Sequence, residues 1–233
     1  MVKKYDIVGF VEADAPITDP VTKFGGQPIW IEEPQWPLSH ETGEQMQFIC
    51  QVEVSPELFG EESGRVAYLF MTGDEDIRQA SLWQRTRALF KGKSTWEPEG
   101  EENAVVVQPS FYEGKMVTVE TGPTLSNLDR TGPCEYAVEL EFGEDPDFVS
   151  ESEQLEWYEE EIDTYWEALG GNKIGGTPGF IQGDEFPEGG PWRLLAQIDS
   201  AGVPFYVNLG DAGIGYVYIS RDGKVGRFLW QCY

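Results

Sequence analysis

A glycine-rich motif occurs twice in this chain, and its recurrence constrains the fold more than any other feature of the sequence. Residues 23–28 read KFGGQP, and residues 173–178 read KIGGTP. Paired glycines permit a backbone turn with positive φ, which other residues adopt only at a cost. With ordinary usage of Lys, Gly and Pro, this spacing would recur by chance in roughly one chain of this size in a hundred.

Segments that follow the two motifs also resemble each other, and they occur in the same order. MQFICQVEV (46–54) matches WRLLAQIDS (192–200), and GRVAYLFMTGDE (64–75) matches GIGYVYISRDGK (213–224). Apolar side chains alternate along the first pair, which is typical of half-buried strands. We therefore predict an α+β fold that is mainly antiparallel β, with internal duplication of a β-rich unit, pseudo-twofold symmetry and a few helices outside.

The two copies are expected to share one core, because a unit this small rarely folds alone. We predict a single domain over residues 1–233, with a first repeat at about 20–110 and a second at about 170–233. Strands within 104–142 and a helix at 150–169 join the repeats.

Further elements are predicted from composition. Three segments are rich in β-branched and aromatic residues, which favours strands, at 104–111, 115–121 and 134–142. Residues 76–91 favour a helix that carries a quarter of the basic residues. Its basic face is either solvated or paired with acidic neighbours.

The segment 150–169 has the strongest helical pattern. Its start is predicted at Ser150 or Ser152, either of which can cap a helix, and its end at Gly170–Gly171. Apolar residues at intervals of three and four predict one face against the core. These residues are Leu155, Tyr158, Ile162, Tyr165 and Leu169.

The chain is strongly acidic: 42 acidic and 16 basic residues give a net charge of −26 at pH 7. This field repels the phosphates of nucleic acids and of anionic lipids, so we expect neither nucleic acid nor a membrane as a partner. It attracts a basic protein and makes the association rate depend on salt. Plain solubility, or adaptation to a salty cytoplasm, explains the same charge without a partner.

Cysteine usage and hydropathy bear on the cellular compartment. Cys50, Cys134 and Cys232 are far apart, and no CxxC pair occurs, so neither a disulfide framework nor a zinc site is suggested. The N-terminal residues lack the apolar stretch of a signal peptide, and no run approaches the roughly 18 apolar residues of a membrane span. These features favour a reducing cytoplasm.

The sequence holds no recognisable catalytic motif. His40, the only histidine, lies in a polar loop, and neither GxSxG, HExxH nor a phosphate-binding glycine loop occurs. We therefore predict no catalytic residue, cofactor or metal, although the 42 acidic residues leave open a hydrolase that uses paired carboxylates.

Eight residues are candidates for contact with a ligand or a partner. Two tryptophans offer aromatic faces of the kind that a small-molecule or carbohydrate site uses. Two glutamines occupy the same place in the paired strands, where they either bond a neighbouring loop backbone, such as the Gly-Gly turn, or contact a ligand. Four glutamates lie on the outer face of the predicted helix. The residues are Trp30, Trp36, Gln51, Gln197, Glu153, Glu156, Glu160 and Glu167.

The motifs of this sequence resemble the YwqG-like family, a bacterial domain of unknown function. That family's pattern begins with KxGGxP and WP, continues with a strand that carries Gln, and closes with GDxGxGY and an aromatic C-terminal strand. The matching residues in the first half are Lys23, Gly25, Gly26, Pro28, Trp36, Pro37, Phe48 and Gln51. In the second half they are Lys173, Gly175, Gly176, Pro178, Gln197, Gly210, Asp211, Gly213, Gly215 and Tyr216. The resemblance implies an α+β fold of two related halves, with no established activity.

Several classes of function remain open at this point. The first is a non-enzymatic, intracellular, acidic module that binds a basic protein partner, either as an immunity protein or as a chaperone. A shorter likeness, in GGxP and the strand glutamine, connects the chain to the programmed-cell-death-protein-2 group. Members of that group look like chaperones for a basic ribosomal protein, but their zinc-binding cysteines are missing here. The alternatives are a small-molecule or carbohydrate binder and a carboxylate-dependent hydrolase.

Overall fold

The computed structural model describes residues 1–60, 65–73, 102–108 and 120–233. Most of the regular structure in these residues is β-strand. The strands are β1 (Val2–Glu12), β2 (Lys23–Gly25), β3 (Gln47–Val54), β4 (Arg65–Met71), β5 (Asn103–Gln108), β6 (Ser126–Asn127), β7 (Glu135–Asp145), β8 (Lys173–Gly175), β9 (Trp192–Asp199), β10 (Phe205–Tyr206), β11 (Ile214–Ser220) and β12 (Gly226–Gln231). The helices are α1 (Pro56–Phe59) and α2 (Glu159–Ala168), with 3-10 turns at Gln154–Glu156 and Ser200–Gly202.

Ten of these strands form one sheet in the order β12-β11-β9-β8-β1-β7-β2-β3-β4-β5, and β10 pairs with β6 separately. Neighbouring strands in the large sheet are antiparallel. The sheet curls until its two edge strands touch: a Cβ added to Gly226 in β12 would lie 2.2 Å from Val105 in β5. The sheet is therefore nearly closed, and the prediction of a mainly antiparallel β fold is confirmed.

The strand order places each Gly-Gly motif in a similar setting. In the first half β2 lies between β7 and β3, and β3 is followed across the sheet by β4 and β5. In the second half β8 lies between β1 and β9, and β9 is followed by β11 and β12. Buried side chains from both halves meet in one hydrophobic cluster. It includes Phe24, Ile49 and Leu69 from the first half and Ile174, Leu195 and Val217 from the second.

Several predicted elements can be compared with the structure directly. The segments 46–54 and 192–200 form β3 and β9, and the segments 104–111 and 134–142 contain most of β5 and most of β7. The strand predicted at 115–121 lies mostly outside the described residues, and the helix predicted at 76–91 lies wholly outside them.

The helix predicted over 150–169 is shorter than expected. The chain forms a 3-10 turn at Gln154–Glu156, then Trp157 and Tyr158 adopt extended backbone with ψ of 149° and 152°. α2 begins only after them. The Tyr158 N–H donates to the Glu161 carboxylate at 2.9 Å, which stabilises the first turn of the new helix.

The predicted apolar face of this segment is therefore wrong in its first half. Leu155 is 83% exposed and Tyr158 is 80% exposed, whereas Tyr165 and Leu169 are buried as predicted. A helix start at Ser150 or Ser152 is likewise wrong. The predicted glycine end is confirmed, because Gly171 has a φ of 81° just after the helix.

No helix among the described residues is both long enough and apolar enough to cross a lipid bilayer.

Candidate functional site

The lysine of the second motif is buried beneath the C-terminal end of α2. Its Nζ donates to Asp145 Oδ2 at 2.6 Å. Its other two protons go to the carbonyls of Leu169, at 2.8 Å, and Thr177, at 2.7 Å. Burial lowers the pKa of Lys173 to about 8, although the Asp145 carboxylate favours the charged form. This lysine therefore ties the Gly-Gly turn to the end of the helix, where a cation also favours the helix dipole.

The lysine of the first motif has partners of the same kind. Lys23 Nζ donates to the Ile17 carbonyl at 3.3 Å and to the Glu135 carboxylate, and burial lowers its pKa. An added Cβ at Gly26 would lie 2.3 Å from that carboxylate, and one at Gly176 would lie 2.3 Å from its counterpart in the second half. The second glycine of each motif therefore leaves room for the acid that neutralises the motif lysine.

The two predicted glutamines are fully buried and bond the backbone. Gln197 accepts from the Gly179 N–H and donates to the carbonyls of Leu169 and Gly171, each at 2.9 Å. Gln51 accepts from the Ile29 N–H at 2.9 Å and donates to the Val21 carbonyl at 2.8 Å. Both side chains thus join the loop after each motif to the segment before it, so we do not place them in a ligand site.

A second pair of glutamines, which the sequence analysis missed, has an equally regular arrangement. Gln108 accepts from the N–H groups of residues 31 and 32, each at 3.1 Å, and donates to the residue 33 carbonyl at 2.9 Å. Gln231 accepts from residues 181 and 182, at 2.9 and 3.1 Å, and donates to residue 183 at 2.9 Å. Each glutamine ends an apolar strand, AVVVQ or FLWQ, and that lone polar residue was the available sequence signal.

The two predicted tryptophans lie in an aromatic cluster of the first half. Trp30 is 2% exposed and stacks on Phe70 at 5.9 Å. Trp36 is half-buried, and its indole N–H donates to the Met46 carbonyl at 2.7 Å. Both rings contribute to packing against β4.

A long acidic segment precedes the second motif. Residues 131–172 contain fourteen acidic residues and no basic residue. Within α2, Asp163 follows Glu159 by four positions and Glu167 follows Asp163 by four, so like charges adjoin on the helix surface. Glu167 also lies in the last turn, where a negative charge opposes the helix dipole. The helix surface therefore carries an electrostatic cost that no residue of 131–172 offsets, whereas Glu135, Asp145 and Asp147 of the segment are paired with cations from elsewhere in the chain.

A groove of about 700 Å³ lies beside α2, between the helix and the chain that enters it from β7. Its lining combines aromatic rings with carboxylates. The lining residues are Pro146, Trp157, Tyr158, Glu160, Glu161, Thr164, Tyr165 and Ala168. We call this feature the α2 groove.

The walls of the α2 groove are held by partly buried hydrogen bonds. Tyr165 accepts from the Val149 N–H at 2.8 Å and donates to the Asp147 carbonyl at 3.2 Å, and burial raises its pKa. The Trp157 ring meets the Tyr165 ring edge-on, at 5.4 Å and 85°. Tyr165 therefore fixes both the entering chain and the tryptophan wall.

The 3-10 turn beside the groove is anchored by a single buried amide. Gln154 is 4% exposed, donates to the Val149 carbonyl at 2.7 Å, and accepts from the Trp166 indole at 3.2 Å. These bonds fix the turn while leaving Leu155 and Tyr158 exposed at its surface. Their exposure is thus imposed by the fold.

The four predicted glutamates are all exposed, but one of them lines the groove and the other three do not. Glu160 lines it, whereas Glu156 precedes the tryptophan wall and Glu167 lies on the last turn of α2. Glu153 accepts from the N–H and hydroxyl of Ser150, and these hydrogen bonds lower its pKa. Sequence reasoning missed Trp157 and Glu161 because it named only the apolar stripe and the outer glutamates, although a spacing of four on a helix was an available signal.

An aromatic wall with adjacent carboxylates can bind organic cations. The rings attract a cation through their quadrupoles, and the carboxylates accept its hydrogen bonds. Across the ranges 1–60, 65–73, 102–108 and 120–233, no cluster of three or more His, Cys, Asp or Glu side chains is arranged to hold a metal ion. The groove therefore combines an aromatic wall with carboxylates, two kinds of group that contact cations.

Comparison with known sequences gives a family without a known role. No curated protein sequence matches this chain. The family model described as a domain of unknown function, DUF1963, matches residues 22–224, a range that includes both glycine motifs, α2 and the α2 groove. The chain therefore belongs to the DUF1963 family.

Proposed function

We propose that this chain is a non-enzymatic binding module whose α2 groove receives a basic segment of a protein partner, as an immunity protein or a chaperone would. The observation that carries this proposal is the union of an aromatic groove with an acidic segment that lacks any basic residue. A basic partner would relieve repulsion that the helix otherwise retains, since like charges at this spacing destabilise a helix.

Solubility alone accounts less well for the same features. Solvation requires acidic residues anywhere on the surface, and it does not require Leu155 and Tyr158 to be exposed beside them. Exposed apolar side chains bordered by charge are typical of protein interaction sites. The proposal therefore accounts for both the charge and the apolar residues of this surface.

The proposal includes a cytoplasmic location. Cys50 and Cys134 are free and buried, and burial raises the pKa of both thiols, that of Cys134 to about 11. Unpaired thiols of this kind are typical of a reducing compartment.

We also propose that the two halves arose by duplication and are related by a pseudo-twofold rotation. The loops that receive the buried glutamines correspond at a constant offset: residues 29, 31 and 33 have the same bonding as residues 179, 181 and 183. The hydroxyls of Tyr68 and Tyr216 donate to the carbonyls of residues 29 and 179, each at 2.7 Å. Independent origins do not account for so many matched bonds.

Two charge variants test the binding proposal. The groove variant replaces four acids of the acidic segment with glutamine: E153Q, E156Q, E160Q and E167Q. The control variant makes the same change in net charge with four exposed acids of the first half: E12Q, E32Q, E33Q and E44Q. Glutamine keeps a similar helix propensity, so both variants should fold.

The assay titrates each variant with a labelled peptide rich in arginine and lysine, and reads anisotropy at low and high ionic strength. We expect the groove variant to weaken binding about fourfold or more at low salt, because each of four charges contributes roughly 0.2–1 kcal/mol. The control variant should bind within about twofold of the parent, and salt should weaken binding to all three proteins. Equal weakening by both variants would instead mean that the overall field binds the peptide, and the proposal would fail.

A further inference from the structure

We propose that the α2 groove distinguishes arginine from lysine, and that its partner presents an arginine side chain to Trp157. This inference rests on the proposed function and adds the identity of the contacting group. In the proposed contact the guanidinium lies flat on the indole, and its edge meets the carboxylates of Glu160 and Glu161.

The aromatic wall is suited to a planar cation. Trp157 is half-buried, and its perpendicular contact with Tyr165 fixes the ring orientation. Tryptophan is the strongest cation–π partner among the aromatic residues, and arginine is found in such contacts more often than lysine. A guanidinium is also more weakly hydrated than an ammonium group, so it loses less when it enters the groove.

The carboxylates are suited to a cation with several donors. One oxygen of Glu161 accepts from the Tyr158 N–H, which leaves its other oxygen for a ligand. The Glu160 carboxylate makes no hydrogen bond or ion pair within the described ranges, and Glu160 lines the groove beside Glu161. A guanidinium carries five N–H donors in a fixed fork and can reach two acceptors while it stacks, whereas an ammonium group is a point charge.

Elsewhere in this chain arginines already stack on aromatic rings. The Arg130 guanidinium lies 3.4 Å from the Tyr206 ring centroid, and that of Arg227 lies 5.9 Å from the Trp192 centroid. Trp157 lies within the segment 131–172, which has no basic residue of its own to place there. The groove thus offers an aromatic face with acceptors, and its own segment supplies no cation for it.

The test compares two labelled peptides of identical sequence except that every arginine of one is a lysine in the other. Their charge is the same, so the overall field of the protein attracts them alike. We expect the arginine peptide to bind the parent protein about five- to tenfold more tightly, the range that a partly desolvated cation–π contact supplies.

Two substitutions at the wall link the preference to Trp157. W157L should reduce the preference to within about twofold, while binding of the lysine peptide and its salt dependence persist. W157F keeps an aromatic face and should retain part of the preference. Urea unfolding of both variants establishes that the fold is intact.

The outcomes separate the two proposals. Equal binding of the two peptides to the parent, with weakening by the groove variant alone, overturns the arginine inference and leaves the proposed function standing. A preference for arginine that W157L leaves unchanged also overturns the inference, because the selective contact then lies elsewhere. If neither peptide binds at low salt, both the inference and the proposed function fail.

Discussion

Gln197 offers the most direct test of how the glycine motif is held in place. Replacing it with leucine removes three hydrogen bonds that join the loop at Gly179 to the segment at 169–171. The Leu169 carbonyl keeps Lys173 as a donor. The Gly179 N–H and the Gly171 carbonyl lose the partner that Gln197 supplies.

The expected loss follows from those two groups. A buried backbone group without a partner costs about 1–3 kcal/mol, and the Gly171 bond is only partly buried, so its share is near the lower limit. Leucine has a volume similar to that of glutamine and leaves little cavity. The free energy of unfolding should therefore fall by about 2–4 kcal/mol in Gln197→Leu.

Urea unfolding followed by tryptophan fluorescence measures this loss, and thermal unfolding provides a second reading. In a chain of this size, 2–4 kcal/mol corresponds to a fall of about 4–16 °C in Tm. Gln182 is exposed, so Gln182→Leu makes the same chemical change at the surface and should stay within about 0.5 kcal/mol of the parent.

The comparison between the two variants decides the outcome. If Gln197→Leu loses no more than Gln182→Leu, the buried amide contributes nothing and the structural reading of the motif is wrong. A large loss for Gln197→Leu together with an unchanged Gln51→Leu would show instead that only the second half depends on this arrangement.

Three further changes test other parts of the fold. Lys173→Met should cost about 3–5 kcal/mol in urea unfolding, because its buried carboxylate partner loses one of two cations. Burial lowers the Lys173 pKa to about 8 from an ordinary 10.5, so between pH 8 and pH 10.5 the unfolded chain binds more protons than the folded chain. The free energy of unfolding should therefore rise with pH in this window, and Lys173→Met should lack that rise. Gly25→Ala should unfold at a clearly lower urea concentration than Gly43→Ala, since both have positive φ but only the first Cβ meets a main-chain oxygen, at 2.2 Å. Ending the chain at Gly226 removes Phe228 and its buried neighbours and should cost several kcal/mol, at roughly 2–3 for each large side chain; an unchanged Tm would contradict the placement of β12.

The sequence predicted the strands well because their signal is local. Alternation along 46–54 and 192–200 depends only on which face of the strand meets the core, and β3 and β9 follow it. The shared positions of Gln51 and Gln197 also follow from sequence, since the same buried backbone must be bonded in both halves.

The groove was not predictable because tertiary contacts create it. Leu155 and Tyr158 satisfy the helical period, yet the bonds of Gln154 to Val149 and to Trp166 hold the turn in another conformation. No periodic pattern contains that information, because the partners lie on separate elements. The break in the helix is what brings Trp157 beside the groove.

The central position of β1 in the sheet affects the order of folding during synthesis. β1 pairs with β7 and β8, so Tyr5 lies opposite both Phe142 and Ile174. β1 is made before both of these strands, so it has no neighbour until β7 has left the ribosome, and it lacks its second neighbour until β8 follows.

β7, β2, β3, β4 and β5, by contrast, are complete by residue 145. β1 thus completes its pairing only after residues 173–175 have been made. Contacts over such a separation slow folding, because loop closure must precede them. Until β8 is made, β1 keeps at least one unpaired edge, and such an edge is where newly made chains associate wrongly.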